Sequence, residues 1–100
     1  MLEEVKNACR IKSSAFDSDI AIYMDAAVKE LKLAGVKQEV IDQKGNLLKN
    51  AVICYVKAYI GTDRDDTEKY LRMFEGLKLK LTYISQEVQS SISPEVQLSE

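Results

Sequence analysis

The stretch Asn46-Leu47-Leu48-Lys49-Asn50-Ala51-Val52-Ile53-Cys54-Tyr55-Val56-Lys57-Ala58-Tyr59-Ile60 decides the fold. Its apolar residues leave a narrow polar stripe that includes Asn50 and Lys57. A helix that is apolar nearly all round is a buried one. The competing reading is a parallel-sheet strand over Ala51 to Val56. Length argues against it, because the apolar pattern continues on both sides for several turns. Residues 46–60 are therefore predicted to form the central helix, and the rest of the chain must pack around it.

Working toward the N-terminus, Gly35 to Gly45 shows a weak pattern. Val36, Val40 and Ile41 predict at most one short turn of helix in this connector. Before it, Ile20, Met24, Ala27 and Leu31 fall on one helical face, with Tyr23 and Val28 beside them. That helix is expected to begin near Asp17, with Asp17 or Ser18 as its cap and Asp19 complementing the dipole. Gly35 is its natural stop, because glycine tolerates the left-handed conformation. A short first helix is predicted over Leu2 to Cys9, where Leu2, Val5 and Cys9 recur at helical spacing. Arg10-Ile11-Lys12 and a polar turn, Ser13 to Phe16, follow it.

Toward the C-terminus, Gly61-Thr62-Asp63-Arg64 reads as a turn. Asp65-Asp66-Thr67-Glu68 has the spacing of a capping box. The last helix is predicted to reach about Ile84. Tyr70, Phe74, Leu77, Leu81 and Ile84 form its inner stripe, with Leu71 and Met73 at the margins. Lys69, Arg72, Lys78 and Lys80 are expected to face outward. Beyond Ile84 the chain is rich in Ser, Gln and Glu and carries the single proline, Pro94. Such a segment buries too little apolar surface to offset its ordering entropy.

The expected architecture is all-α: a small bundle of three long helices plus a short N-terminal helix, with an extended polar C-terminal tail. The division is a helical domain over residues 1–84 and a flexible arm over 85–100. Composition agrees with this. One hundred residues with 46% hydrophobic and 30% charged side chains make one ordinary globular domain. One proline and four glycines favour long helices over a many-turned β fold.

The net charge of −2, with both signs interspersed, lacks the basic patch of a nucleic-acid binder. The N-terminus Met1-Leu2-Glu3-Glu4 is acidic where a secretion signal is basic. The longest apolar run, Ala51 to Val56, is far short of a membrane span. The expectation is a protein that stays in the compartment where it is made, with no membrane association. Cys9 and Cys54 are expected to be free thiols, and Cys54 a small core residue.

The chemistry that most enzymes need is missing. The chain has no histidine, which removes the commonest general base and metal ligand. There is no glycine-rich phosphate loop and no nucleophile elbow. The acid cluster Asp63, Asp65, Asp66 and Glu68 fails as a calcium loop. Glu68 stands where the loop needs glycine, and Phe74 where it needs its bidentate carboxylate. The cluster reads as helix capping. Tyr55, Tyr59 and Tyr70 read as core residues with hydroxyls reaching the surface. No catalytic residue, metal ligand or cofactor is assigned; the chain is expected to act by binding other proteins and not as an enzyme.

Several elements together resemble the small tailed-phage head–tail connector (adaptor) family. They are Leu2-x-x-Val5-Lys6 with Arg10-Ile11, and the acid-opened helix Asp17-x-Asp19-Ile20 with Ala26-Ala27. The central helix ending Tyr55-Val56-Lys57-Ala58-Tyr59, a turn with Arg64, and the final helix with Tyr70 and Leu77 complete the set. The resemblance covers about residues 1–84. It implies a structural subunit of a phage or prophage virion, located at the head–tail junction and made in the bacterial host cytoplasm. Such subunits form a homo-oligomeric ring, on the order of a dozen copies under cyclic symmetry. The ring joins the portal protein to the tail or to a stopper protein, and DNA passes through its channel. A near-neutral subunit suits that role, because a wall attracting phosphates would retard the DNA.

A second reading is a small cytoplasmic regulatory module, an anti-repressor or antitoxin-like helical dimer. A carboxylate-dependent enzyme is a distant third. In either binding reading the tail is the candidate partner-binding arm, with anchors at Val88, Ile92, Val96 and Leu98. Val96 and Leu98 are two apart and share one face of an extended strand. Such a strand can add to the edge of a neighbour's sheet.

Overall fold

The computed structural model describes residues 1–60 and 64–97, with side chains described for 1–60 and 66–87. Among the described residues there are five α-helices and no strand. They are α1 (Leu2–Ala8), α2 (Asp17–Ala34), α3 (Gln38–Gln43), α4 (Asn46–Ile60) and α5 (Arg64–Gln97), with a 3₁₀ turn at Ser14–Phe16 between α1 and α2. The all-α expectation holds, and the helix over 46–60 is found with those bounds.

Helix α4 is the axis of the bundle. Leu48, Ala51, Val52, Cys54, Val56 and Ala58 are buried along it. Helices α2 and α5 pack against it with Ile20, Ala27, Leu31, Phe74 and Leu81, all buried. Each fully buried aliphatic side chain contributes about 1.5–3 kcal/mol. Val5 of α1 is completely enclosed. The connector forms a one-turn helix, α3, whose Val40 and Ile41 are buried together with Val36 just before it.

The helix ends show how the chain reverses direction. At Gly35 (φ 108°) the backbone is left-handed. Its N–H donates to the Lys32 carbonyl, and that of Val36 to the Leu31 carbonyl. This bond pair is a Schellman motif. The same pair closes α1, where Arg10 donates to Asn7 and Ile11 to Lys6. There the left-handed residue is Arg10 (φ 59°), not a glycine. Lys44 (φ 50°), and not the neighbouring Gly45, takes the left-handed position after α3.

Several local expectations differ from the structure, among them the capping box at Asp65 to Glu68, since α5 already begins at Arg64. Asp17 does not cap α2: the helix begins at Asp17, its cap position is Phe16, and no side chain caps it. The Asp17 carboxylate turns instead to the Lys6 ammonium at 2.9 Å. A cap hydroxyl is used one turn earlier, where Ser13 Oγ accepts from the Ala15 N–H. Lys78 is not fully outward; it is half-buried, paired with Glu75 at 2.9 Å, with its ammonium over the Phe74 ring.

The last helix does not end at Ile84. Ser85 is buried, and the backbone is helical through Gln97. Adding a residue to an existing helix is far cheaper than nucleating one. The segment after Gly76 contains no glycine to stop it. The tail backbone through Gln97 is therefore helical where an extended course was expected. The expected turn at Gly61 to Asp63 lies outside the described residues, as does the side chain of Asp65.

Candidate interaction surface

The bundle surface carries several apolar depressions, and two of them are large enough to seat a partner. One, about 600 Å³, runs between α4 and α5. Helix α4 supplies Ile53, Cys54 and Lys57, which follow its 3–4 residue spacing along one face. Helix α5 supplies Met73, Gly76, Leu77 and Lys80. Gly76 lines the groove and is exposed: a Cβ added there meets no atom within 4 Å. Packing within the bundle therefore does not demand this glycine, although glycine inside a helix costs about 0.5–1 kcal/mol relative to alanine.

The charge of this groove is one-signed. Among the described residues, Lys57 and Lys80 are its only charged lining residues. The Lys57 ammonium sits 5.2 Å from the centre of the Tyr70 ring, with Lys69 at 5.5 Å from the same ring. A cation over an aromatic face is attracted by the ring quadrupole, which fixes the rim of the groove. The second depression, about 370 Å³, is formed by Met1, Leu2, Met24, Val28, Ile41 and Leu48 among others. Its charges are mixed, because Asp25, Asp42 and Lys44 all line it. The two depressions share no lining residue.

An aromatic ladder ties the helices behind the larger groove. Tyr23 stacks on Tyr59 at 5.9 Å, Tyr59 lies 4.7 Å from Tyr55, and Tyr55 meets the Phe74 ring edge-on at 5.1 Å. The ladder thus runs from α2 through α4 to α5. Burial, with the neighbouring Tyr59, pushes the Tyr55 phenol up. Tyr55 and Tyr70 are partly buried, and Tyr59 is exposed along one side. Tyr55 and Tyr70 pack against the core as expected, whereas Tyr59, expected there too, is exposed and packs on its neighbouring rings.

Cys9 and Cys54 are free thiols. Burial pushes both up in pKa, partly offset by the Lys57 charge. Such thiols are protonated and poor nucleophiles near neutral pH. Among the described residues, no three acidic, cysteine or histidine side chains converge to hold a metal ion. No helix there is long and apolar enough to cross a membrane.

Of the four anchors proposed from sequence, Val88, Ile92 and Val96 belong to the backbone of the last turns of α5. Their side chains, and the whole of Leu98, lie outside the described residues. The residues that sequence reading missed are those of the α4–α5 groove. Ile53 and Leu77 read as core and Met73 as a stripe margin. The signal that points to them is Gly76, a glycine inside a strong helical pattern.

The comparisons bear on the whole body. Residues 1–88 match the phage connector protein family. No curated protein and no solved structure matches the chain. The matched region takes in α1 to α4 and α5 past Ser85, the last buried residue among those described. With nearly nine-tenths of its length matched, this all-helical chain belongs to the phage connector protein family, and its role is that of a structural head–tail connector.

Proposed function

We propose that this chain is the repeating subunit of a connector ring that joins the portal of a phage or prophage capsid to its tail or to a stopper protein, with DNA passing through the channel. The family match over residues 1–88 carries this reading. The surface supports it. A head-to-tail ring needs two different patches on each subunit, whereas a two-fold dimer uses one patch twice. Two apolar depressions without a common residue meet that requirement. Residues 1–84, closed by the buried Ser85, are the body of the subunit, and the rest of residues 85–100 is the arm that reaches a neighbour through Val88, Ile92, Val96 and Leu98. The subunit is made in the host cytoplasm and ends in the virion at the head–tail junction.

The test is deletion of the gene from the phage or prophage that carries it, followed by electron microscopy of the particles. Heads without tails, restored to tailed particles with a ring below the portal when the gene is supplied in trans, are the expected result. Normal tailed and infectious particles from the deletion strain would refute the role.

A further inference from the structure

The C-terminal segment and the α4–α5 groove are complementary in charge and in spacing. After Lys80 the chain has no Lys or Arg. Residues 85–100 hold Glu87, Glu95 and Glu100, so the overall −2 consists of −3 from this segment and +1 from residues 1–84. The groove has the opposite character, with lysines and no carboxylate among its lining residues. Neither Lys57 nor Lys80 forms an ion pair among the described residues. The second depression, with two aspartates, is the wrong site for an acidic segment.

The backbone sets the mode. Helix α5 continues twelve residues beyond Ser85 to Gln97, about 18 Å at the α-helical rise. A continuous helix cannot fold back onto the groove of its own subunit, so the acceptor is another molecule. Val88, Ile92 and Val96 are four apart in sequence, the spacing by which an amphipathic helix seats one face in an apolar groove. Strand addition between copies has no acceptor, since the described residues contain no strand. Gly76, a lining residue without a side chain, leaves space in the groove for a close approach.

We propose that residues 88–97 of one copy dock as a helical arm into the α4–α5 groove of the next copy, with Val88, Ile92 and Val96 against Ile53, Met73, Gly76 and Leu77, and Glu95 beside Lys57 and Lys80. The proposal rests on the connector reading above and names the contact that links its subunits. It makes the contact head-to-tail: the arm of each copy fills a groove whose own arm reaches onward.

The experiment is photo-crosslinking with full-length protein carrying a benzophenone amino acid at Ile92. Isotopically light and heavy copies are mixed, so that crosslinks between copies are recognised by mass. The samples are concentrated protein and connectors isolated from particles, both imaged by electron microscopy. The expected products join position 92 to the peptides holding Ile53–Lys57 and Met73–Lys80 of another copy. Gly76→Leu fills the groove while improving helix propensity. It should keep or raise the melting temperature and lower the crosslink yield by at least roughly tenfold. Lys57→Glu with Lys80→Glu should also lower the yield, and Glu95→Lys in the arm should raise it again. Crosslinks confined to another protein, to the same copy or to a different surface would overturn the docking, as would an unchanged yield in Gly76→Leu. Rings without groove crosslinks leave the ring standing and sink the docking. Groove crosslinks in assemblies that are not rings do the reverse.

Discussion

The backbone N–H of Lys37 donates to the Oγ of Ser85 at 2.9 Å, joining residues 48 apart in the chain. Lys37 is the cap position of α3, and no side chain of its own caps that helix. Ser85 is buried on α5. One hydroxyl thus pins the α2–α3 turn to the last helix. Ser85→Ala leaves this N–H without its acceptor and is expected to cost about 1–2 kcal/mol, read as a lower urea midpoint. The same bond sets where the chain can be cut. Truncation after Ile84 removes Ser85 and should destabilise by at least that amount, whereas truncation after Glu87 should leave the melting temperature nearly unchanged. Equal stability of the two truncations would show that the Ser85 bond contributes nothing.

The two Schellman turns predict opposite effects of glycine. Gly35 at φ 108° closes α2, and Gly35→Ala should lose about 1–2 kcal/mol because a Cβ is strained there. Arg10 at φ 59° closes α1 in the same way with a side chain in place. Arg10→Gly relieves that strain against a gain in unfolded-state freedom and should stabilise by about 0.5 kcal/mol. Thermal melts of the two variants, scored against wild type, should move in opposite directions.

Neighbouring residues on α5 separate core from surface. Phe74 is 2% exposed and Met73 46% exposed. Phe74→Ala removes the ring that meets Tyr55 and should cost about 3–5 kcal/mol. Met73→Ala should stay within about 0.5 kcal/mol of wild type. Cys54→Asp, which puts an unpaired charge among buried side chains, should cost several kcal/mol, roughly the stability of a whole small domain. A Cys54→Asp protein that melts with the wild type would refute the burial of α4.

Two ion pairs anchor α1, and each has its own pH window. The Lys49 ammonium, 2.7 Å from Glu4, holds the Glu4 carboxyl below its ordinary value of 4.5. That contribution is present above pH 4.5 and is lost as pH falls through the lowered value. The Asp17 carboxylate beside Lys6, with Glu3 at 3.9 Å, holds the Lys6 ammonium above its ordinary 10.5. This one is present below pH 10.5 and is lost as pH rises through the raised value. The melting temperature of Glu4→Gln should fall less steeply than that of wild type below pH 4.5, and the two curves should run parallel near neutral pH. Coincident curves in acid would remove the Glu4–Lys49 pair from the account.

The sequence by itself determined the helices of the body up to Ile84 and most of their inward faces, because both follow from local spacing; it did not show that the last helix runs on to Gln97. Ile20, Ala27 and Leu31 on α2 and Phe74 and Leu81 on α5 recur at the helical period, so a reader of the chain alone finds them. The small apolar turn at Val40 and Ile41 and the stop at Gly35 are legible for the same reason. Other features were decided only when the helices met. Asp17 has the chemistry of a cap, but in the fold the Lys6 ammonium lies 2.9 Å away and takes the carboxylate. Ser85 looks like the first residue of a polar tail, yet the turn at Lys37 brings it an unpaired N–H and buries it. Gly76, Met73 and Ile53 border one groove only because α4 and α5 pack side by side. Periodicity reports the face on which a residue lies. The partner that meets that face is set by contacts between residues tens of positions apart, and no local pattern encodes them.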